Sequence, residues 1–483
     1  MAVRLFYFLP GVESRFTYPP AKADLMDCAK LVKSLTELLG VDKVSAEQSV
    51  LEEHSIDKWL VGHPPDVVVF AGSTADVVAV MKFASAQGVA VTTRGAGVGY
   101  VGGAVPMTGG IVISVARMSA IREINTADGV AIVEPGVITG ELQDAVRKLG
   151  WFYPPDPASL KECSIGGNVA TNAGGPRCLK YGVTRHYILG LEVVLADGSV
   201  AKLGGRCHKD KTGFDLIGMF VGSEGLLGIV TEITCRLIPH PPARAMASAS
   251  FTSFAGAAAA VQAILGAGFL PAALEIADKF TLGAARDHVG SGLIPDGESH
   301  LLVEIDGQAG SVNSELSAVV ALLHELGCLS LETADDEAGC EAIWEIRRAF
   351  SYSLRATGLT KLNEDIVVPR GKLVELVAFC ERLQEECGMP IACFGHAGDG
   401  NIHVNIMVDG IEDPTVRARS DEALDALFKA VLAFGGRISG EHGIGIAKKR
   451  WFGEALDSGA IDLHRRLKAA LDPEGILNPG KFV

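Results

Sequence analysis

The sequence predicts a globular protein of two or three domains that mixes helices with strands. Three observations carry this reading. At 483 residues the chain is too long for one hydrophobic core, and its 48% hydrophobic residues can fill several. From Pro65 onward a strand-like run, a helical period and a second strand follow one another. Beyond them lie glycine-rich stretches that lead into strands.

Taken in order, MAVRLFYFLPGVES holds one short apolar run, interrupted by Pro10 and without a small-residue cleavage site, which argues against a signal peptide; Met26 is an alternative start. After a helical lead-in, VVVF is a strand. Ser73 or Thr74 caps an amphipathic helix that turns Val77, Val80, Met81 and Ala84 inward, and Gly88 terminates it. The next strand, VAVTTR, runs into GAGVGYVGGAVP, where Gly97, Gly99 and Gly102 satisfy GxGxxG. The dinucleotide form of that motif must open a helix and find an acid about 20 residues later. Here Pro106 and Gly109–Gly110 precede another strand, IVISVARM, so the loop reads as an anion-binding nest of backbone N–H groups, with a long glycine-rich hairpin as the plain alternative. SIGGNVATNAGG (164–175) and GSEGLLGIVTEI (222–233) share its character, and YPPDPAS (153–159) is a rigid extended segment able to line a flat ring. The uncharged stretch from Ala245 to Leu274 is rich in Ala, Gly and Ser, carries Gln262 and is broken by Pro271; it reads as a buried strand and helix, capped by Ser253 and ended by Gly266 or Gly268, not as a membrane span.

The net charge of −15, with no concentrated Lys and Arg, opposes a nucleic-acid partner. Ten cysteines without a CxxC indicate neither an iron–sulfur cluster nor a disulfide framework, and fit a reducing cytoplasm. CFGHAGDGNIHVN (393–405) sets His396 and His403 around a glycine-rich hinge, and SGEHGIG (439–445) places Glu441 beside His442. The glycines exclude a helical HExxH pair, so any ligand set must come from a turn and a strand. On these residues alone a metal site and a buried polar turn both stand open.

The ordered motifs RGAG, PPDPAS, SIGGNVATNAGG, GSEGLLGIVT, GHAGDGNIH, SGEHGIG and DPEGILNPGK together resemble the FAD-linked D-2-hydroxyacid dehydrogenases, a group that includes D-lactate dehydrogenases, D-2-hydroxyglutarate dehydrogenases and the catalytic subunit of glycolate oxidase. The resemblance implies an α+β fold of the vanillyl-alcohol-oxidase type. In it a lead-in (1–64) precedes a two-subdomain FAD domain (65–242), an antiparallel-sheet cap with the substrate site (243–436), and a C-terminal segment (437–483) that returns to the flavin through Asn478. It further implies that Gly95, Ala96, Gly97, Val98 and Gly99 hold the pyrophosphate and that Pro155 and Asp156 approach the flavin. Ser164, Gly166, Gly167, Thr171, Asn172, Gly174 and Gly175 would wrap the phosphate and ring side, with Glu224, Gly228 and Ile229 completing the contacts. No histidine in the first glycine loop is available as a covalent tether, and Cys163 is only a weak one, so dissociable FAD is expected.

By the same resemblance His396, His403 and Glu441 are ligands to one divalent ion, Zn, Mn or Fe, and His442 is the base that takes the hydroxyl proton while hydride leaves for flavin N5. Arg347, in IWEIRR, stands where relatives carry the substrate arginine, though its helical setting would otherwise favour solvent; Lys361 and Asn363 are weaker candidates. Asn405 shares the strand face of His403 and is expected to touch substrate or a metal-bound water. The implied substrate is a small 2-hydroxyacid, D-lactate or glycolate first. The electrons are expected to pass to a quinone, cytochrome c, electron-transfer flavoprotein or iron–sulfur subunit, with no nicotinamide. A cytoplasmic protein, peripheral to the inner membrane face or homodimeric, is consistent with this. A noncatalytic FAD-binding subunit, D-2-hydroxyglutarate oxidation and a flavin-free metal hydrolase are the competing readings.

Overall fold

The computed structural model describes residues 27–59 and 61–483; the N-terminal apolar run and Met26 lie outside them. The chain divides into two compact units. Of the described residues, the first comprises 27–59, 61–173, 183–239 and 441–483, and the second 174–182 and 240–440.

The first unit contains two sheets and a short strand pair. Strands β1 (Val44–Ser45), β2 (Val67–Phe70), β3 (Val91–Arg94) and β4 (Ile111–Ser114) form a four-stranded sheet in the order β1-β2-β4-β3. Both β2 and β3 run parallel to β4. Parallel strands are covered on both faces, which is why VVVF and IVIS read as unbroken apolar runs. The helix Thr74–Gln87 joins β2 to β3; Ser73 caps it by accepting the Asp76 N–H, and Gly88 closes it at φ 64°. Val77, Val80, Met81 and Ala84 enter the core with Leu31 and Leu35 of the helix Cys28–Leu39. The second sheet holds β5 (Ile121–Asn125), β6 (Val130–Val133), β8 (Ile188–Val194), β9 (Val200–Gly204) and β10 (Ile229–Arg236), ordered β5-β6-β10-β8-β9 and antiparallel throughout. The pair is β7 (Trp151–Phe152) with β11 (Ile238–Pro239).

Two expectations are corrected here. The glycine loop after β3 is not a hairpin, because β3 and β4 are parallel and residues 95–110 must cross over without a helix. The second glycine stretch is not wholly a loop: Ile165–Thr171 is a short helix whose N-cap, Ser164, accepts the Gly167 N–H.

In the second unit one seven-stranded sheet is antiparallel throughout. It comprises β12 (Ala243–Phe251), β13 (Ala273–Ala277), β14 (Ser299–Gly307), β15 (Ser330–Ala334), β16 (Thr360–Val367), β17 (Ile391–His396) and β18 (Asn401–Val408), ordered β15-β12-β14-β13-β17-β18-β16. The stretch from Ala245 onward is the expected strand and helix, Phe254–Gly266 being capped by Ser253. Strands β13, β17 and β18 are buried along their whole length, so the polar residues among them are conspicuous. Helices Lys279–Val289 and Glu337–Ala356 pack with Ala277, Ala392, Phe394 and Met407 on one face. Among the described residues no helix is long and apolar enough to cross a membrane.

Candidate functional site: a glycine-lined cradle and a polar strip on a buried sheet

The first unit gathers its loops into a cradle. The only described non-glycine residues at positive φ are Asn172, Glu224 and Asn478, at 51°, 51° and 46°, and all three belong to it. Backbone held in this region costs of order 1–3 kcal/mol per residue and concentrates at functional sites. The Asn478 amide donates to the carbonyls of Gly103 and Glu224 at 3.0 and 2.7 Å, and its backbone N–H reaches Val91 O at 2.7 Å. This fixes the C-terminal segment at the start of β3. Glu224 accepts the N–H groups of Ile444 and Gly445 at 2.7 and 2.8 Å, while burial pushes its carboxyl up to about 7. Lys481 donates to Val105 O at 2.5 Å and is pulled down to about 7, again by burial.

Glycine is required where these loops close. A Cβ on Gly95 would stand 2.4 Å from Ser164 Oγ, and one on Gly97, at φ 67°, would stand 2.1 Å from the Arg94 guanidinium. Two buried oxygens, Asp57 Oδ2 and Asn478 Oδ1, have no hydrogen-bond partner among the described residues, leaving polar capacity for a bound group. Burial raises Asp57 to about 6. His442 stacks on Tyr100 of the first glycine loop, with centroids 5.1 Å apart and planes at 27°, and its Nε2 is 3.7 Å from Glu441 Oε1.

Of the remaining expected cofactor residues, Ala96, Val98 and Gly99 lie in the loop after β3, and Gly166, Gly167 and Thr171 in or beside the turn capped by Ser164. Pro155 O accepts the Gln143 amide at 2.9 Å, and Asp156 is buried. Gly228 leads into β10, where the Ile229 side chain lies in the apolar core, so outward contact from Ile229 must use main-chain atoms. Gly174 and Gly175 fall in the second unit, in a segment clasped there by Arg177 on Glu304 and by Lys180 and Tyr181 on Asp306.

The second unit carries a polar strip on one sheet face. The β17–β18 hairpin aligns His396 with Asn401 and Phe394 with His403, so the two histidines are diagonal neighbours on the same face. Both are buried, with ring centroids 5.4 Å apart. Asn405, two residues on, donates its amide to Ala392 O and His403 O at 2.9 and 3.1 Å, and its Oδ1 has no hydrogen-bond partner among the described residues. Asn363 of β16 lies directly across from Asn405 of β18, and its Oδ1 also has no hydrogen-bond partner among the described residues. Both Lys361 and Asn363 lie in β16.

Across β13, Glu275 faces His396 in register, its Oε1 2.6 Å from His396 Nδ1, while its Oε2 accepts Arg347 Nε. His396 and Arg347 overcome the cost of burial and hold this carboxyl down at about 2. Arg347 is therefore not a solvated helical charge. Only 13% of its side chain is exposed, and it lies 4.8 Å over the Phe394 ring; Arg348, at 46%, takes the solvent-side position with Glu341 and Glu345. Lys361 donates to Ser351 Oγ at 3.1 Å, and burial, reinforced by Arg355 and Arg347, lowers it to about 7.

Asp365, the register partner of His403, accepts Ser439 Oγ and the Gly440 N–H at 3.0 and 2.9 Å, anchoring the chain one residue before Glu441. His396 and His403 each offer one ring nitrogen on this face, and Glu441, next in the chain after the anchored Gly440, offers one carboxylate oxygen, making the three a candidate ligand set. Two imidazoles and a carboxylate suit Zn, Mn or Fe, and a carboxylate on one ring nitrogen, as Glu275 is on His396 Nδ1, is the usual support of a ligand histidine, so the donor set fits a divalent metal.

Glu275 was not among the residues read from the sequence. The signal was a single acid inside an apolar strand, ALEIA, a setting in which carboxylates persist only when paired.

Residues 240–482 match the C-terminal domain of FAD linked oxidases, and residues 65–204 match an FAD binding domain. The chain is 39% identical over 418 residues to glycolate oxidase subunit GlcD of Bacillus subtilis (strain 168), covering 86% of this chain and 89% of that protein. Over 428 residues it is 34% identical to a D-lactate dehydrogenase of Anaerostipes hadrus, with the same coverage of 86% and 89%. Among solved structures, p-cresol methylhydroxylase aligns with a TM-score of 0.77 at 20% identity, covering 94% of this chain and 96% of that one. A 4-ethylphenol oxidase from Gulosibacter chungangensis aligns at 0.74 and 21%, also over 94% and 96%. The fold is the vanillyl-alcohol-oxidase type, mixed α+β.

Proposed function

The chain belongs to the FAD-linked oxidases, an oxidoreductase family, and we propose that it oxidises a small D-2-hydroxyacid, D-lactate or glycolate, to the 2-oxoacid. The observation that carries the substrate class is the buried strip of His396, His403 and Asn405 beside Arg347, whose two Nη groups have no hydrogen bond within the described protein. A divalent ion held by His396, His403 and Glu441 would supply Lewis acidity toward the hydroxyl, and FAD held by the glycine loops would supply the hydride acceptor. Arg347 presents its planar fork to the substrate carboxylate, and Lys361 brings further N–H donors to the same face. Asn405, whose Oδ1 has no hydrogen-bond partner among the described residues, shares the His403 face and helps position the substrate there, leaving the hydroxyl proton to the base. His442, whose ring is steadied by Tyr100, takes the hydroxyl proton; an imidazole is suited to this near neutral pH.

The FAD is noncovalent. The loop after β3 has no histidine, and Cys163 is buried with its Sγ 3.3 Å from Thr139 Oγ1. Electrons leave for a non-nicotinamide acceptor, a quinone or a redox protein, because the GxGxxG stretch opens no helix of the kind on which a Rossmann site seats a nicotinamide dinucleotide. The subunit naming of the Bacillus relative supports a partner protein as the acceptor. The test is anaerobic titration of the yellow protein with D- and L-2-hydroxyacids. D-lactate or glycolate should bleach the flavin band; a flavin that dithionite bleaches and no hydroxyacid does would end this reading.

A further inference from the structure

Strand β13 is apolar at every position but Glu275, which is 1% exposed and directly across the sheet from His396. Its two oxygens are divided between two N–H groups: Oε1 faces His396 Nδ1 at 2.6 Å and Oε2 accepts Arg347 Nε. This division requires a carboxylate. A glutamine in its place would offer one acceptor and turn an N–H group toward the other donor.

A hydrogen bond at one imidazole nitrogen decides which nitrogen is left with a lone pair, and a bond at Arg Nε fixes the plane in which both Nη groups point. We propose that Glu275 is a positioning residue that sets both halves of the substrate site at once, holding His396 with Nε2 toward the ion and Arg347 with its fork toward the substrate carboxylate. The inference rests on the reading of His396 as an ion ligand and Arg347 as the carboxylate clamp. It adds that the two are mechanically one device. The hydroxyl end and the carboxylate end of a 2-hydroxyacid are a single carbon–carbon bond apart, and one carboxylate keeps their two receptors in register.

The test uses the full-length FAD-bound protein and the variants Glu275→Gln and His396→Ala. Zinc affinity is read by competition with a chromophoric chelator, and KM and kcat are read with the best hydroxyacid. Glu275→Gln should weaken zinc roughly ten- to hundredfold, the usual scale for a residue behind a ligand histidine. It should also raise KM about tenfold, the loss expected when one charge-assisted bond goes. A merely structural role would lower the melting temperature and leave zinc affinity and KM of the folded protein unchanged, and that result overturns the proposal. Retention of zinc by His396→Ala would instead overturn the metal reading, and the proposal with it. Should Glu275→Gln not fold, the unsubstituted zinc-loaded protein decides through its 15N-histidine spectrum. His396 must carry its proton on Nδ1; a proton on Nε2 refutes the assignment.

Discussion

On the proposed function, the two units solve different recognition problems with different materials. The cradle in the first unit is made of turns: three strained non-glycine residues, glycines that admit no Cβ, and main-chain N–H groups, tied together by Asn478, Glu224 and Lys481. The polar strip in the second unit is made of side chains on regular strands, placed by register and covered by helices. A large cofactor with a diphosphate can be met by many modest backbone contacts. A small hydroxyacid offers few atoms, so each contact must come from a charged or ligating side chain fixed by its neighbours. Substitutions in the cradle should therefore be graded in effect, and those in the strip abrupt.

The largest separation of roles comes from His442→Ala. It should retain the metal by elemental analysis and lose roughly 10²–10⁴ in kcat, as removal of a general base does; loss of metal would reassign His442 as a ligand. Next, Arg347→Lys keeps the charge but gives up both the fork and the Nε contact to Glu275. The expected loss in kcat/KM corresponds to about 1.5–3 kcal/mol, and an unchanged value would remove Arg347 from the site. In the cradle, Gly95→Ala drives a methyl toward Ser164 Oγ. Over-packing of this kind costs about 1–3 kcal/mol. The FAD dissociation constant should rise correspondingly while zinc affinity stays the same; parallel loss of both would erase the distinction between the two regions.

The smallest effect is one of pH. Burial raises Glu224 from 4.5 to about 7, so the folded chain holds this proton more tightly than the unfolded chain does. Its contribution to stability is fully present below about pH 4.5 and is lost as the pH rises through about 7. Melting temperatures measured between pH 5 and 8 should fall with pH through this group, and Glu224→Gln should flatten the slope.

What the sequence disclosed followed the range of the interactions. The helix Thr74–Gln87 was legible to its caps because Ser73, Gly88 and the inward residues act within a turn or two of themselves. The His396–His403 hairpin was legible for the same reason, its glycines marking the turn and its alternation the strand. Arg347 was not legible from local pattern. Its helix looks half-exposed, and only Glu275, 72 residues earlier in the chain, explains its burial. The family resemblance had marked the arginine but not its partner. The parallel pairing of β3 with β4 was hidden for a related reason: direction is decided by where a loop crosses, and residue types in that loop describe turns of either kind. Ser164–Gly175 misled through composition, since its glycines masked a capped helical turn.

The β17–β18 hairpin has a consequence for insertions and deletions. His396 ends one arm, the turn Ala397–Gly400 reverses the chain, and His403 stands in the other arm as the register partner of Phe394. Side chains alternate faces at every step, so adding or removing one residue in that turn, with the pairing slipped to accommodate it, sends His403 and Asn405 to the opposite face of the sheet. The turn at Gly400, with φ 85° and the Val368 carbonyl 2.1 Å from where a Cβ would be, leaves little room to absorb the change locally. The interval between the two histidines thus acts as a ruler: residue identities within the turn can drift where space permits, but its length cannot change by one without dismantling the strip.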